Sequence, residues 1–518
     1  MFIRVHSSAV QGVDAYTVLV ETDLSRGIPG FMVVGLPDQS VKESRDRVRS
    51  ALKNNGFIYP QKHITVNLAP ADIPKEGAAF DLPIALGLLA GSGQILPETV
   101  EKYLVAGELA LDGTIRPIRG VLSMAAAVRH SKFLKGIIVP SENAGEAAVV
   151  DGLPVYPAEN LNQVVEFFNE GTGMDRYVID RESLLQTGGR YNVDFSDVKG
   201  QEHVKRALEV AAAGGHNILL VGPPGSGKTM LAKRLMTILP DLSLEESLET
   251  TKVHSIAGNL KNGASLVTAR PFRAPHHTIS DAGLVGGGRV PQPGEVSLAH
   301  NGVLFLDEVP EFNRNVLEVL REPLESGHVS ISRVRASLVF PARIMLVAAC
   351  NPCPCGYHGD LSRRCICPPQ RVHKYISKLS GPLLDRIDLH IEVPSVPYDE
   401  MTAERSGEKS EVIRKRVTDC REVQRERFKR EGVHCNAQMH PGDMDEHTKL
   451  TDSGHRLLRG AIEKLGLSAR AYDRILKVSR TIADMAQAET IHEEHICEAI
   501  QYRSLDRKMF SQEQEVAA

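Results

Sequence analysis

Residues 217–229 read Asn217-Ile-Leu-Leu-Val221-Gly222-Pro223-Pro224-Gly225-Ser226-Gly227-Lys228-Thr229, and Met230-Leu-Ala-Lys-Arg-Leu-Met follows. The apolar run before Gly222 predicts a short buried strand, and the residues after Thr229 predict a helix. Between them stands a complete G-x-x-x-x-G-K-T. Its glycines let backbone N–H groups close around phosphate oxygens at a helix N-terminus. Lys228 supplies a point charge to the β- and γ-phosphates, and the Thr229 hydroxyl is a Mg²⁺ ligand. The chemistry points to a nucleoside triphosphate. A chance Gly-rich turn is the alternative, and the flanking strand and helix argue against it.

A phosphate loop of this kind needs an acidic strand beside it. Val303-Leu-Phe-Leu306-Asp307-Glu308 supplies four apolar residues and two carboxylates at the strand's C-terminal end, where ligands bind in open α/β sheets. Asp307 is the expected Mg²⁺ holder and Glu308 the expected polariser of the attacking water. Ile344-Met-Leu-Val-Ala-Ala-Cys350-Asn351 is a further buried strand ending in a polar residue. Asn351 is placed to orient that water, with a turn-forming role as the alternative. Leu383-Leu-Asp385-Arg386-Ile-Asp388-Leu puts an arginine just before the strand 389–393. It is either a finger toward a neighbouring subunit's γ-phosphate or one half of an internal pair with Asp385 or Asp388.

Cysteines are eight in all, and four lie close together as Cys353-Pro-Cys355 and Cys365-Ile-Cys367. Four thiolates can complete a tetrahedral zinc site and pin a loop too small for its own core. C-x-C is tighter than the common spacing, His358 and His373 are substitute ligands, and reduced thiols or a redox pair remain alternatives.

The rest of the chain sets the frame. Hydrophobic residues are 42% of the 518, enough for buried cores. The formal net charge is −4, which excludes a histone-like protein but leaves room for a local basic groove. Trp is absent and aromatics are 5%, which argues against an extended base-stacking platform. No stretch is apolar enough to span a bilayer and no signal-peptide core opens the chain, so a soluble, cytoplasmic protein with no membrane partner is expected. Residues 1–170 alternate strands and helices without a phosphate loop, and 40–55 predicts a helix with Val41, Val48 and Leu52 on one face. Residues 171–193 lack periodicity and read as a linker. A second α/β unit spans 194–395. From 396 to 518 the pattern is helical and charged, with helices expected at 454–464, 469–486 and 492–503.

The P-loop, the acidic strand, Asn351 and Arg386, together with Asp194-Phe-Ser-Asp-Val-Lys-Gly-Gln201 and Arg206-Ala-Leu-Glu-Val-Ala-Ala-Ala, resemble a magnesium-chelatase-like AAA+ ATPase. The whole chain is similar to the ComM/YifB-like family within that branch. The resemblance implies an α/β P-loop AAA+ core with a helical lid. It also implies sensor 1 at Asn351, an arginine finger at Arg386 and sensor 2 at Arg470 in Leu467-Ser-Ala-Arg470. A homo-hexamer and DNA as partner follow from the same resemblance. The function it implies is a branch-migration helicase in recombination of incoming DNA during natural transformation. The rivals are a magnesium-chelatase-like motor subunit and an ATP-driven protein remodeller.

Residues 228–307 span more chain than one helix–strand crossover needs. The surplus carries Arg270-Pro-Phe-Arg273 and Gly286-Gly-Gly-Arg289, expected as an exposed hairpin. A second hairpin is expected around Arg333-Val-Arg335. Arg273, Arg289, Arg333 and Arg335 are the DNA-contact candidates, repeated around a ring to give a salt-sensitive, sequence-independent grip. Subunit packing is the alternative.

Residues 1–170 resemble the ribosomal-protein-S5-domain-2-like fold shared with Lon proteases. Lon's nucleophilic Ser lies in K-D-G-P-S-A, and here Lys75-Glu76-Gly77-Ala78-Ala79 puts Ala79 in its place. Lon's general-base Lys follows P-I-G-G-L, and here Pro117-Ile118-Arg119-Gly120-Val121 is followed by Leu122. Without hydroxyl and amine there is no Ser–Lys nucleophile, so proteolysis is not expected.

Overall fold

The computed structural model describes residues 1–186, 191–260, 264–288, 291–333, 336–360, 363–402, 407–428, 433–465 and 467–505. Two compact units result, and they cut across the boundaries expected from sequence. The first contains Met1–Gly188 together with Ser243–Thr268 and Ser330–Phe340, and the second contains Gly189–Leu242, Ala269–Val329 and Pro341–Ala518.

The first unit is built on a seven-stranded mixed sheet. Its strands are β1 (Phe2–Gln11), β2 (Asp14–Ser25), β3 (Gly30–Val34), β4 (His63–Ala69), β5 (Tyr103–Val105), β6 (Gly136–Pro140) and β7 (Val155–Ala158), in the order β3-β4-β2-β1-β5-β6-β7. β1 pairs antiparallel with β2 and parallel with β5. Helix α1 (Gln39–Asn54) starts where the Asp38 carboxylate accepts the Val41 N–H at 2.8 Å, and it buries Val41, Val48 and Leu52 as its periodicity predicts. Its charged face is not uniformly solvated: Arg47 turns inward and holds the fully buried Asp81 at 2.6 and 3.0 Å. Helix α2 (Asp81–Gly91) is buried on every side, which explains its unbroken apolar run.

Helix α3 (Val121–Val128) packs Leu122 into the core of this unit. The segment Ser243–Thr268, sequence-distant from it, belongs here through a buried polar contact. The Ser255 hydroxyl donates to Glu146 and accepts the Gly120 N–H at 2.8 Å, while Glu146 also accepts the Leu122 N–H at 2.8 Å. Burial raises the Glu146 pKa against the pull of those donors. The expected linker is docked over part of its length: the Tyr177 N–H bonds Val155 O at 2.8 Å, and Arg181 pairs with Asp151 at 2.9 Å.

The second unit carries a five-stranded, all-parallel sheet. Its strands β8 (Ile218–Val221), β9 (Phe272–Arg273), β10 (Val303–Leu306), β11 (Met345–Cys350) and β12 (Leu389–Glu392) run in the order β9-β10-β11-β8-β12. β8, β10 and β11 are buried throughout, as expected for parallel strands covered on both faces. Helices α4 (Glu202–Gly214) and α5 (Lys228–Ile238) pack on it. Beyond β12 the chain is helical, with α6 (Ser410–Arg427), α7 (Asp452–Leu465), α8 (Ala469–Met485) and α9 (Glu493–Gln501) within one or two residues of the expected bounds where bounds were expected. The stripe Ile413, Val417 and Cys420 joins the core of this unit. No helix among the described residues is long and apolar enough to cross a membrane.

Candidate functional site

Strand order decides what meets. With β11 between β10 and β8, the C-terminal ends of three neighbouring strands present Asp307–Glu308, Asn351 and the Gly-rich loop side by side. Gly222 leaves β8 so close to the chain that a Cβ there would lie 2.1 Å from Val393 O, so no side chain fits. Gly227 takes φ +89° and caps α5 without a side chain of its own, which leaves the first-turn N–H groups turned toward the loop.

Lys228 folds back into that loop. Its ammonium donates to Gly222 O at 2.8 Å, Pro223 O at 2.9 Å and Asn351 Oδ1 at 3.2 Å. Burial lowers its pKa, while Asp307 and Glu308 act to raise it. The Thr229 hydroxyl donates to Asp307 Oδ2 at 2.7 Å. The two expected Mg²⁺ ligands therefore stand together on different elements, an oxygen-rich donor set suited to a hard divalent cation. Glu308 adopts φ +52°, a left-handed conformation rare for a residue with a side chain, and its own N–H bonds Asp307 Oδ1 at 2.9 Å. Such backbone costs roughly 1–2 kcal/mol, and Glu308 is exposed.

Gln201, also left-handed at φ +54°, bonds Ser226 O at 3.0 Å and Pro394 O at 2.8 Å through its amide nitrogen. Beside it lies a cleft of about 540 Å³ lined by Gly200, Gln201, His203, Pro394 and Val396, among others. The sequence reading used the Lys-Gly-Gln run only as a family mark and missed this tether.

Arg386 is buried and does not pair with Asp385 or Asp388. Its guanidinium is held by Glu325 and donates to Pro382 O at 2.7 Å. Arg470 lies 3.9 Å from the other Glu325 oxygen, so one carboxylate faces both arginines. Asp385 accepts the Ser468 hydroxyl at 3.2 Å instead. Asp388 is fully buried, where burial alone would raise its pKa. Arg474 at 3.2 Å, His216 and the Asn217 N–H at 2.9 Å hold it well below the usual carboxylate range. Asn217 also accepts the Leu346 N–H at 2.8 Å and donates to Arg386 O at 3.2 Å, stitching β8, β11 and the Arg386 turn together. Glu325, Arg474 and Asn217 carried no sequence signal, because their partners are distant in the chain.

The four clustered cysteines converge. Sγ–Sγ distances are 3.3 Å for Cys353–Cys355, 3.7 Å for Cys353–Cys365 and 3.6 Å for Cys355–Cys365, and all four sulfurs lie within 4.8 Å of one another. The Cys367 N–H points at Cys365 Sγ at 3.4 Å. Among the described residues neither His358 nor His373 joins the cluster. Cys350 is buried, and burial pushes its thiol up to about 12.

The arginine candidates fare differently. Arg273 is a correction: it lies on sheet strand β9, not on an exposed hairpin, and Glu295 neutralises it through two bonds of 2.6 Å. The short antiparallel pair Gly286–Gly287 with Gln292–Pro293 follows it, and Arg289 lies outside the described residues. His328–Arg333 and Ala336–Pro341 form the second expected hairpin. Arg335 and the Arg333 side chain lie outside what is described. In the first unit Leu122 is a core residue.

A complete phosphate loop facing an acidic strand and a polar strand end defines a P-loop nucleotide-binding site. Family models agree: "Magnesium chelatase, subunit ChlI" matches residues 194–401, "Subunit ChlI of Mg-chelatase" matches 20–143, and "Magnesium chelatase, subunit ChlI C-terminal" matches 407–503. This is a magnesium-chelatase-like AAA+ ATPase. Competence protein ComM of Haemophilus influenzae is 48% identical over 97% of both chains, and the uncharacterized protein YifB of Escherichia coli is 46% identical over the same share. The 38 kDa magnesium-chelatase subunit of Rhodobacter capsulatus is 27% identical over 51% of this chain and 69% of its own. The chain belongs to the ComM/YifB-like family of that class.

Proposed function

We propose that the protein is a hexameric, Mg²⁺-dependent ATPase that moves on DNA as a branch-migration helicase in recombination during natural transformation. The observation that carries the ATPase part is the convergence of Lys228, Thr229, Asp307, Glu308 and Asn351 on one rim of the parallel sheet. Lys228 exchanges its carbonyl partners for β- and γ-phosphate oxygens, and the α5 N-terminus cradles them. Thr229 and Asp307 would hold Mg²⁺, which would supply neutralising charge beside the phosphates. Glu308 and Asn351 orient the lytic water. The cleft beside Gln201 takes the adenine. Arg386 and Arg470, released from Glu325, reach a γ-phosphate; catalysis is positioning and charge stabilisation.

DNA as the track rests on the likeness to a competence protein. The first unit serves as an S5-domain-2-like, non-proteolytic module, and the helices from 396 onward serve as the lid. The cysteine cluster holds a structural zinc: a tetrahedral Zn–S₄ site with bonds of roughly 2.3 Å has sulfurs about 3.8 Å apart, close to those present.

ATP turnover measured with and without a four-way DNA junction, alongside junction unwinding, tests the proposal. Stimulation with unwinding at low salt is expected. Turnover indifferent to DNA at low salt would move the assignment to a chelatase-type motor or a protein remodeller. Glu308→Gln is expected to bind ATP and assemble while turnover falls about 10²–10³-fold; wild-type hydrolysis by that variant would remove Glu308 from its role.

A further inference from the structure

The chain from Cys350 to Gly356 runs along the phosphate loop and touches it at three places. Cys350 O accepts the Gly222 N–H at 3.2 Å. Asn351 Oδ1 accepts from Lys228 at 3.2 Å. Gly356, at φ +86°, lies so close to Pro224 that an added Cβ would sit 2.3 Å from its Cδ and 2.6 Å from its Cγ. Two of the four clustered thiols, Cys353 and Cys355, fall inside this stretch, and the Gly356 N–H bonds Cys353 O at 2.9 Å.

Apart from the sulfurs, the described part of the loop is held by polar contacts at its surface: the Arg363 guanidinium donates to the Tyr357 hydroxyl at 2.9 Å and the Arg363 N–H to Asp360 at 3.1 Å. Only Cys353 and Gly356 are buried among the described residues from 353 to 367, and Ile366 is 85% exposed. A loop without an apolar core keeps its shape through a crosslink. The cluster offers one, made of four sulfurs within 4.8 Å.

We propose that the tetrathiolate site is a positioning element for ATP: a bound thiophilic d¹⁰ cation, zinc, fixes Gly356 against Pro224 and Asn351 against Lys228. This rests on the zinc reading above. When zinc leaves, the Cys353–Gly356 stretch loses its hold, the loop's rim and the Asn351 amide drift together, and both nucleotide affinity and turnover fall. Displacements of about an ångström near reacting groups cost up to about 10²-fold in rate.

The test uses the full chain purified under reductant, with zinc measured by elemental analysis. About one zinc per chain is expected. Cys365→Ser/Cys367→Ser, which leaves the residues beside the phosphate loop intact, should lose the metal and bind ATPγS about tenfold or more weakly. Gly356→Ala should keep its zinc yet show a raised KM for ATP and a lowered kcat. In cobalt-substituted protein the thiolate–cobalt absorption should shift when ATPγS is added, a signal that a merely structural metal would not give.

Reduced protein without zinc overturns the zinc reading and the proposal with it. Zinc present, with both variants at wild-type affinity and turnover and a cobalt spectrum blind to ATPγS, overturns the positioning role and leaves the zinc standing. Should the double cysteine variant fail to fold, Gly356→Ala and the cobalt spectrum decide.

Discussion

Three lysines are buried among the described residues, Lys75 in the first unit and Lys228 and Lys477 in the second, and Lys75 and Lys228 make the instructive pair, because only Lys228 stands at the phosphate loop. Lys75 in the first unit is fully covered and donates to Pro70 O and to Ile73 O, the latter at 2.7 Å. Lys228 in the second is nearly as covered and also donates to backbone carbonyls, Gly222 O and Pro223 O. Burial lowers the pKa of both. What differs is the surroundings. Lys75 sits in a turn shortly before Ala78 and Ala79, tied to the carbonyls of its own segment. Lys228 opens a helix whose cap is a glycine, with Asp307, Glu308 and Asn351 converging on it from two other strands. Burial and carbonyl partners hold a lysine in place; convergent acids and an open helix N-terminus give it a task.

The largest expected effect breaks the second half of that contrast. Lys228→Ala should lower ATP turnover about 10²–10³-fold in a steady-state assay, with the fold intact by circular dichroism. Lys75→Met should do the reverse. Turnover stays at the wild-type level while stability drops by about 1–3 kcal/mol in denaturant titration, because two buried carbonyls lose their donor. A loss of turnover in Lys75→Met without a loss of stability would erase the distinction.

Two buried aspartates sharpen the same contrast by pH. Asp388 in the second unit has a folded pKa held well below its ordinary 3.8 by Arg474, His216 and the Asn217 N–H, acting against burial. Its stabilising contribution is present above about pH 4 and is lost as pH falls further. Asp388→Asn should therefore flatten the acid side of the stability curve. It should also cost about 3–5 kcal/mol at neutral pH, because Arg474 loses a buried partner. Asp81 in the first unit runs the other way: burial pushes it up to about 6 in spite of Arg47. Its contribution is present below about pH 4 and is lost as pH rises through about 6. Denaturant titrations between pH 4 and 7 should show that decline for the wild type and a smaller one for Asp81→Asn. An unchanged slope in Asp81→Asn would assign the decline to another group.

Much of the secondary structure was legible because its causes are local. The apolar spacing of Val41, Val48 and Leu52 and the C-terminal helix periodicities each act within a few turns. β1 went unread as a strand although Ile3, Val5 and Ser7 alternate inward, since its alternation mixes Ser and His with aliphatic residues. The placement of 243–268 in the first unit was not legible. It depends on Ser255 meeting Glu146 and Gly120, contacts that no local pattern announces. Arg273 misled for a related reason: a Gly- and Pro-rich stretch reads as a loop, yet two of its residues add a strand to the sheet edge beside β10.

By itself the sequence determined the phosphate loop, its acidic strand and the four paired cysteines, because these motifs place every needed group within a few bonds of one another. Only the tertiary structure decided that Lys228 meets Asn351, that Glu325 faces both Arg386 and Arg470, and that Gly356 abuts Pro224. Those meetings follow from the order of strands in the sheet. Strand order is set by burial of whole elements against one another, a long-range balance that no short window of sequence contains.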